Sequence, residues 1–148
     1  MVNVGERLSI KFKRCIVQMS MFITLVMSFG TTATIITIDN TDTGFTFSGF
    51  NYSRAVTGYI GVNYMFDKVN SLGDFATWDP TSNAGWVAGL WDVDMNWTQH
   101  NNRAKNAEIT HITINSGPTT QLVNQSLNGG IWNNLGQFDF SLTSAKVT

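Results

Sequence analysis

From residue 90 the chain alternates in a strict two-residue period. Trp91, Val93, Met95 and Trp97 fall on one side, and Asp92, Asp94 and Asn96 on the other. That spacing predicts a strand with one buried and one wet face. Shorter stretches of the same kind predict strands at Ile35–Asp39, Phe45–Phe50, Tyr59–Phe66, Phe75–Trp78, Ile109–Asn115, Thr119–Asn124 and Leu135–Phe140. Between them stand clusters of turn formers such as Asn40-Thr41-Asp42-Thr43-Gly44, Asp79-Pro80, Ser116-Gly117-Pro118 and Asn128-Gly129-Gly130. After residue 34 no window of eleven or more residues keeps a helical apolar period. The pattern therefore predicts an all-β domain, a β-sandwich of jelly-roll type.

The first 33 residues break this pattern. Arg7, Lys11, Lys13 and Arg14 precede an apolar run, Cys15–Phe29, and then the small residues Gly30, Thr31, Thr32 and Ala33. A basic stretch, a short apolar run and a small-residue site, in that order, predict a secretory signal peptide over 1–33, cut after Ala33, with Gly30 the second choice. The domain would then occupy 34–148 of a secreted protein, extracellular or periplasmic. The apolar run is shorter than the roughly 20 residues a spanning helix needs, and Gln18, Ser20 and Thr24 interrupt it. An uncleaved N-terminal anchor is the alternative. Cys15 is the single cysteine, so the remainder of the chain has neither disulfide nor thiol chemistry.

Composition narrows the partners. Charged residues make up 13% of the 148, whereas Asn (15), Thr (18) and Ser (11) are abundant, side chains suited to strands and turns. From residue 31 onward five cations face nine anions. Nucleic-acid binding depends on clustered Lys and Arg, so no nucleic-acid partner is expected.

Catalytic chemistry finds little support. Asp92 and Asp94 point the same way along one strand at about 7 Å, a spacing known from paired glycosidase carboxylates. They lie on the polar face, however, where nothing raises an acid's pKa, and a solvated face is the favoured reading. His100 and His111 are the only histidines and do not form a metal-ligand pair. No Gly-x-Ser-x-Gly motif occurs. The expectation is no enzyme and no cofactor, with Asp39 and Asp42 a weak calcium candidate against the plainer reading of a turn whose side chains bond their own backbone.

Binding chemistry is better represented. Trp91 and Trp97 belong to the apolar side of their strand, whereas Trp86 lies between small residues in Asn83–Gly89. It suits either a platform for a sugar ring or a hydrophobic lid on the sandwich. The segment Trp97-Thr98-Gln99-His100-Asn101-Asn102-Arg103-Ala104-Lys105-Asn106-Ala107 collects side chains of fixed hydrogen-bonding geometry. His100, Asn102, Arg103 and Asn106 are the candidates for a hydroxyl-rich ligand, against a role in holding the loop's shape.

Five stretches occur in order: Ile36–Phe45, Gly58–Tyr64, Ala76–Pro80, Trp97–Ala107, and Asn124-Gln125 through Gly129-Gly130-Ile131-Trp132-Asn133-Asn134-Leu135-Gly136. Together they resemble the carbohydrate-binding-like module of golvesin-type proteins and bacterial xanthan lyases, from about Ile35 to the last residue. The resemblance implies a secreted, non-catalytic β-sandwich that accompanies a catalytic or surface domain and binds polysaccharide. It adds Gln125 and Trp132 to the candidate ligand residues. In the family pattern a strand pair follows Phe140, so the sandwich is expected to lack its last strand or strands. An open sheet edge would then allow the alternative function, a structural or adhesive module that contacts protein.

Overall fold

The computed structural model describes residues 9–14, 33–50, 52–54, 61, 64–66, 74–114, 117–143 and 145–147. The strands are β1 (Ser9–Arg14), β2 (Thr34–Ile38), β3 (Phe45–Ser48), β4 (Tyr52–Arg54), β5 (Tyr64–Phe66), β6 (Phe75–Trp78), β7 (Gly89–Asn96), β8 (Ala107–Thr113), β9 (Gly117–Val123), β10 (Asn133–Phe140) and β11 (Lys146–Val147). The one helical element among the described residues is a 3-10 turn, Pro80–Ser82, which the Asp79 carboxylate caps by accepting from Thr81 N at 2.9 Å. The domain is an all-β sandwich. One sheet runs β10-β7-β1-β2, the other β3-β6-β11-β8-β9, and β4 pairs with β5.

Strand β7 carries the alternation read from the sequence. Trp91, Val93 and Met95 are fully buried, and Trp97 nearly so. They pack with Ile36, Ile38 and Phe140 from their own sheet and with Trp78, Ile109 and Val147 from the facing one. Two apolar inner faces at alternate positions thus close a single core. The other side of β7 is less wet than the sequence predicts, because β7 is an inner strand with β10 and β1 alongside it. Asp94 is 3% exposed.

The first strand is the main departure from expectation. Ser9–Arg14, read from the sequence within the basic part of a leader, forms β1 between β2 and β7, antiparallel to both. Its own period is two. Ile10 and Phe12 are fully buried, and the Phe12 ring meets Trp86 edge-on at 5.6 Å and Phe140 at 5.7 Å. Burying each side chain contributes about 1.5–3 kcal/mol. Apart from Ala33, the rest of the proposed leader lies outside the described residues.

The chain's other end bears on the expected gap after Phe140. Lys146 and Val147 pair with Ile112 and His111 of β8, and Val147 also pairs with Trp78 of β6. A two-residue strand thus lies inside the second sheet. Gly44 fixes the approach to this sheet: at φ +96° it turns the chain so that its carbonyl accepts from Asp79 N at 2.8 Å, and a Cβ there would lie 2.2 Å from the Asp79 carbonyl oxygen.

A polar loop pair at one end of the sandwich

The two segments singled out as binding candidates meet. Gly130 N donates to the Trp97 carbonyl at 2.8 Å, and Gln125 N to that of Ala104 at 2.8 Å. The Trp97 indole Nε1 donates to the Leu127 carbonyl at 2.9 Å, and Gly129 N to Gln99 Oε1 at 3.1 Å. A Cβ on Gly129 would sit 2.2 Å from Gln99 N, so only glycine allows this approach. Four hydrogen bonds between stretches far apart in sequence tie the loops into one body.

On that body the candidates divide. His100, Asn102 and Asn106 are exposed. The His100 Nδ1 donates to Asn102 Oδ1 at 2.5 Å. Arg103 is half-buried; its backbone N–H donates to the His100 carbonyl at 3.1 Å and its guanidinium reaches Thr98 Oγ1 at 3.4 Å. The guanidinium carbon also lies 6.0 Å from the centre of the Tyr64 ring. Arg103 is thus engaged within the loop, while the amide and imidazole groups of His100, Asn102 and Asn106 are exposed. Gln125 is 2% exposed and belongs to the support under the loops.

Trp86 is not the platform that its loop position allowed. It is 8% exposed, stacks on Trp91 with ring centres 4.7 Å apart and planes 16° apart, and donates Nε1–H to the Ser141 carbonyl at 3.2 Å. The ring packs in the core against Phe12, Trp91 and Phe140, which corresponds to the hydrophobic-lid alternative. Trp132 is half-buried, and Lys11 Nζ of β1 lies 4.2 Å from its ring centre, a cation–π contact. Leu127 and Ile131 are exposed apolar side chains of the same loop.

Of the carboxylate pair, Asp92 is half-buried and Asp94 is buried. Burial pushes the Asp94 carboxyl up, but hydrogen bonds from Lys13 and Asn134 and the charges of Lys13 and Lys11 outweigh it, holding Asp94 below the ordinary carboxylate range. A carboxyl held ionised in this way does not donate a proton at neutral pH. In the Asp39–Asp42 turn, Asp39 Oδ1 accepts from Ser9 Oγ at 3.0 Å and from Asn40 N at 2.8 Å, and Asp42 Oδ2 accepts from Asp39 N at 2.8 Å. Those bonds are what a self-satisfied turn requires. Among the described residues, no three His, Cys, Asp or Glu side chains group as a metal site.

Lys11 and Gln99 were not singled out from the sequence. The Lys11 signal was present in the alternation Ile10-Lys11-Phe12-Lys13, masked by the apolar run that follows. Nothing local marks Gln99, whose partner lies 30 residues away.

Comparison with known proteins places this geometry among relatives. Residues 36–148 match the Golvesin C-terminal domain model. A xanthan lyase of Bacillus sp. (strain GL1) is 31% identical over 108 residues, 70% of this chain and 11% of that protein. The solved structure of a Paenibacillus xanthan lyase superposes with a TM-score of 0.61 at 19% identity, over 98% of this chain and 19% of the lyase. The chain thus spans a small part of each lyase.

Proposed function

The chain belongs to the Golvesin C-terminal domain family, and from that premise we propose that it is a non-catalytic accessory module that holds polysaccharide for a companion catalytic or surface domain outside the cell. The observation that carries this reading is the loop pair itself. His100, Asn102 and Asn106 stand exposed on a support that hydrogen bonds from Trp97, Gly129, Gly130 and Gln125 make rigid. Preorganised amides lose little entropy on binding, which a weak, hydroxyl-rich ligand needs. The kinship with a xanthan lyase supports polysaccharide as the ligand class. Exposed Leu127 and Ile131 add an apolar surface for the C–H face of a sugar ring.

Isothermal titration of the folded chain with xanthan and with neutral glucans tests this proposal. Heat of binding with at least one polymer is expected, weakened several-fold by Asn102→Ala combined with Asn106→Ala. A folded chain that gives no heat with any polymer contradicts it. The rival role, contact with protein through a sheet edge, predicts concentration-dependent oligomers by size exclusion instead.

A further inference from the structure

We propose that Ser9–Arg14 is a permanent central strand of the working protein, so that its folding unit begins ahead of the family match at residue 36. The strand's surroundings carry the case. Along one edge Ile10, Lys11, Phe12, Lys13 and Arg14 face Ile38, Thr37, Ile36, Ile35 and Thr34 of β2. Along the other, Ser9 to Lys13 face Asn96, Met95, Asp94, Val93 and Asp92 of β7. Apolar side chains meet apolar ones on the inner face, and the lysines meet aspartates on the outer.

Both ends of β1 are also fastened. Buried Ser9 donates through Oγ to Asp39 Oδ1 at 3.0 Å, just past the end of β2. Arg14 donates through Nη1 to the Ala88 carbonyl at 3.0 Å, just ahead of β7. A stretch serving only as an address has no need of this register.

Removal would be felt across the sheet. Among the described residues β2 reaches the rest of its sheet only through β1. Losing β1 separates β2 from β7, bares an inner edge of β7, and leaves buried Asp94 without Lys13. Cleavage after Ala33 and a retained β1 exclude one another in one covalent chain.

Hydrogen exchange of the full chain read by mass spectrometry, together with N-terminal sequencing of folded protein recovered from a secreting bacterial host, tests this inference. The amides of residues 10–14 are expected to be protected to within about tenfold of those of β7, and the recovered protein to retain Ser9. Exchange at the rate of an unstructured peptide, or a folded product beginning near residue 34 with an unchanged unfolding midpoint, overturns it. A charge swap supplies the control for mere misfolding. Lys13→Glu is expected to lower the midpoint, and adding Asp94→Lys to recover at least half of the loss. No recovery in the double variant also counts against the register.

Discussion

Lys13 of β1 forms an ion pair with Asp94 of β7, whose carboxylate also accepts from Asn134 of β10 at 2.9 Å. One buried carboxylate thus links three neighbouring strands. Replacing Lys13 with Ser leaves Asp94 with one partner inside the sheet. The Lys13 side chain is 41% exposed, which tempers the loss, so about 1–2 kcal/mol of stability is expected to go. Urea denaturation at pH 7 reads it directly. Because the folded carboxyl titrates below its ordinary range, this stabilisation is present above about pH 4 and fades as pH falls through the folded value. The difference between wild type and Lys13→Ser should shrink as pH falls below the ordinary carboxylate range; a difference that stays unchanged down to the acid unfolding of the protein would tell against the pair.

His111 couples proton binding to folding with the same sign as Asp94 but in a higher pH window. Its ring is fully buried, stacks on Phe138 with centres 3.7 Å apart, and accepts at Nε2 from Gln121 Nε2 at 2.8 Å. Burial pushes its pKa down to about 4. The unfolded chain takes up the proton first, so stability is complete above about pH 6.5 and is lost progressively down to about pH 4. The loss is about 3 kcal/mol. His111→Phe keeps the stack and removes the titration. Its denaturation midpoint should stay nearly level over that window while the wild type's falls; parallel curves would show that another group is responsible.

Trp86→Ala separates packing from recognition. Removing a side chain that stacks on Trp91 and meets Phe12 edge-on is expected to cost about 3–5 kcal/mol. Trp86→Phe should cost less and still fold. Polysaccharide affinity of the folded Trp86→Phe protein is expected to match wild type, since the side chain is buried in the core. A tenfold drop in affinity would return Trp86 to the ligand site.

How much of this was readable in advance depends on the range of the interactions. The β6 bounds, Phe75–Trp78, and the buried face of β7 followed from local alternation, which the sandwich then obeys. Trp86 was ambiguous because a loop position says nothing about which way an indole points; Trp91, Phe12 and Phe140 decide that from distant parts of the chain. The strand Ser9–Arg14 was hidden by competition between two valid patterns. Its lysines read as a leader's basic end, while Ile10 and Phe12 also fit a half-buried strand, and only partners at residues 34–38 and 92–96 distinguish the two. The meeting of the loops at Gly129 and Gln99 rests on a missing side chain, which a sequence shows as one more turn glycine.

That meeting can be broken alone. Gly129→Ala forces a methyl group against the Gln99 backbone and is expected to cost about 1–3 kcal/mol. The core strands should keep their hydrogen-exchange protection while the amides of residues 99 and 125–130 lose theirs. Unaltered protection at those amides would mean that the loops do not support one another.

The most direct test of the polysaccharide reading is a map of where a glycan touches the folded chain. Backbone and Asn side-chain amide shifts of the full protein, followed by NMR during titration with xanthan oligosaccharides, provide that map. Saturable shifts centred on residues 99–106 and 125–132, with β8 and β9 silent, are predicted. Saturable shifts confined to a sheet face away from these loops, or none at millimolar oligosaccharide, would contradict the proposed site.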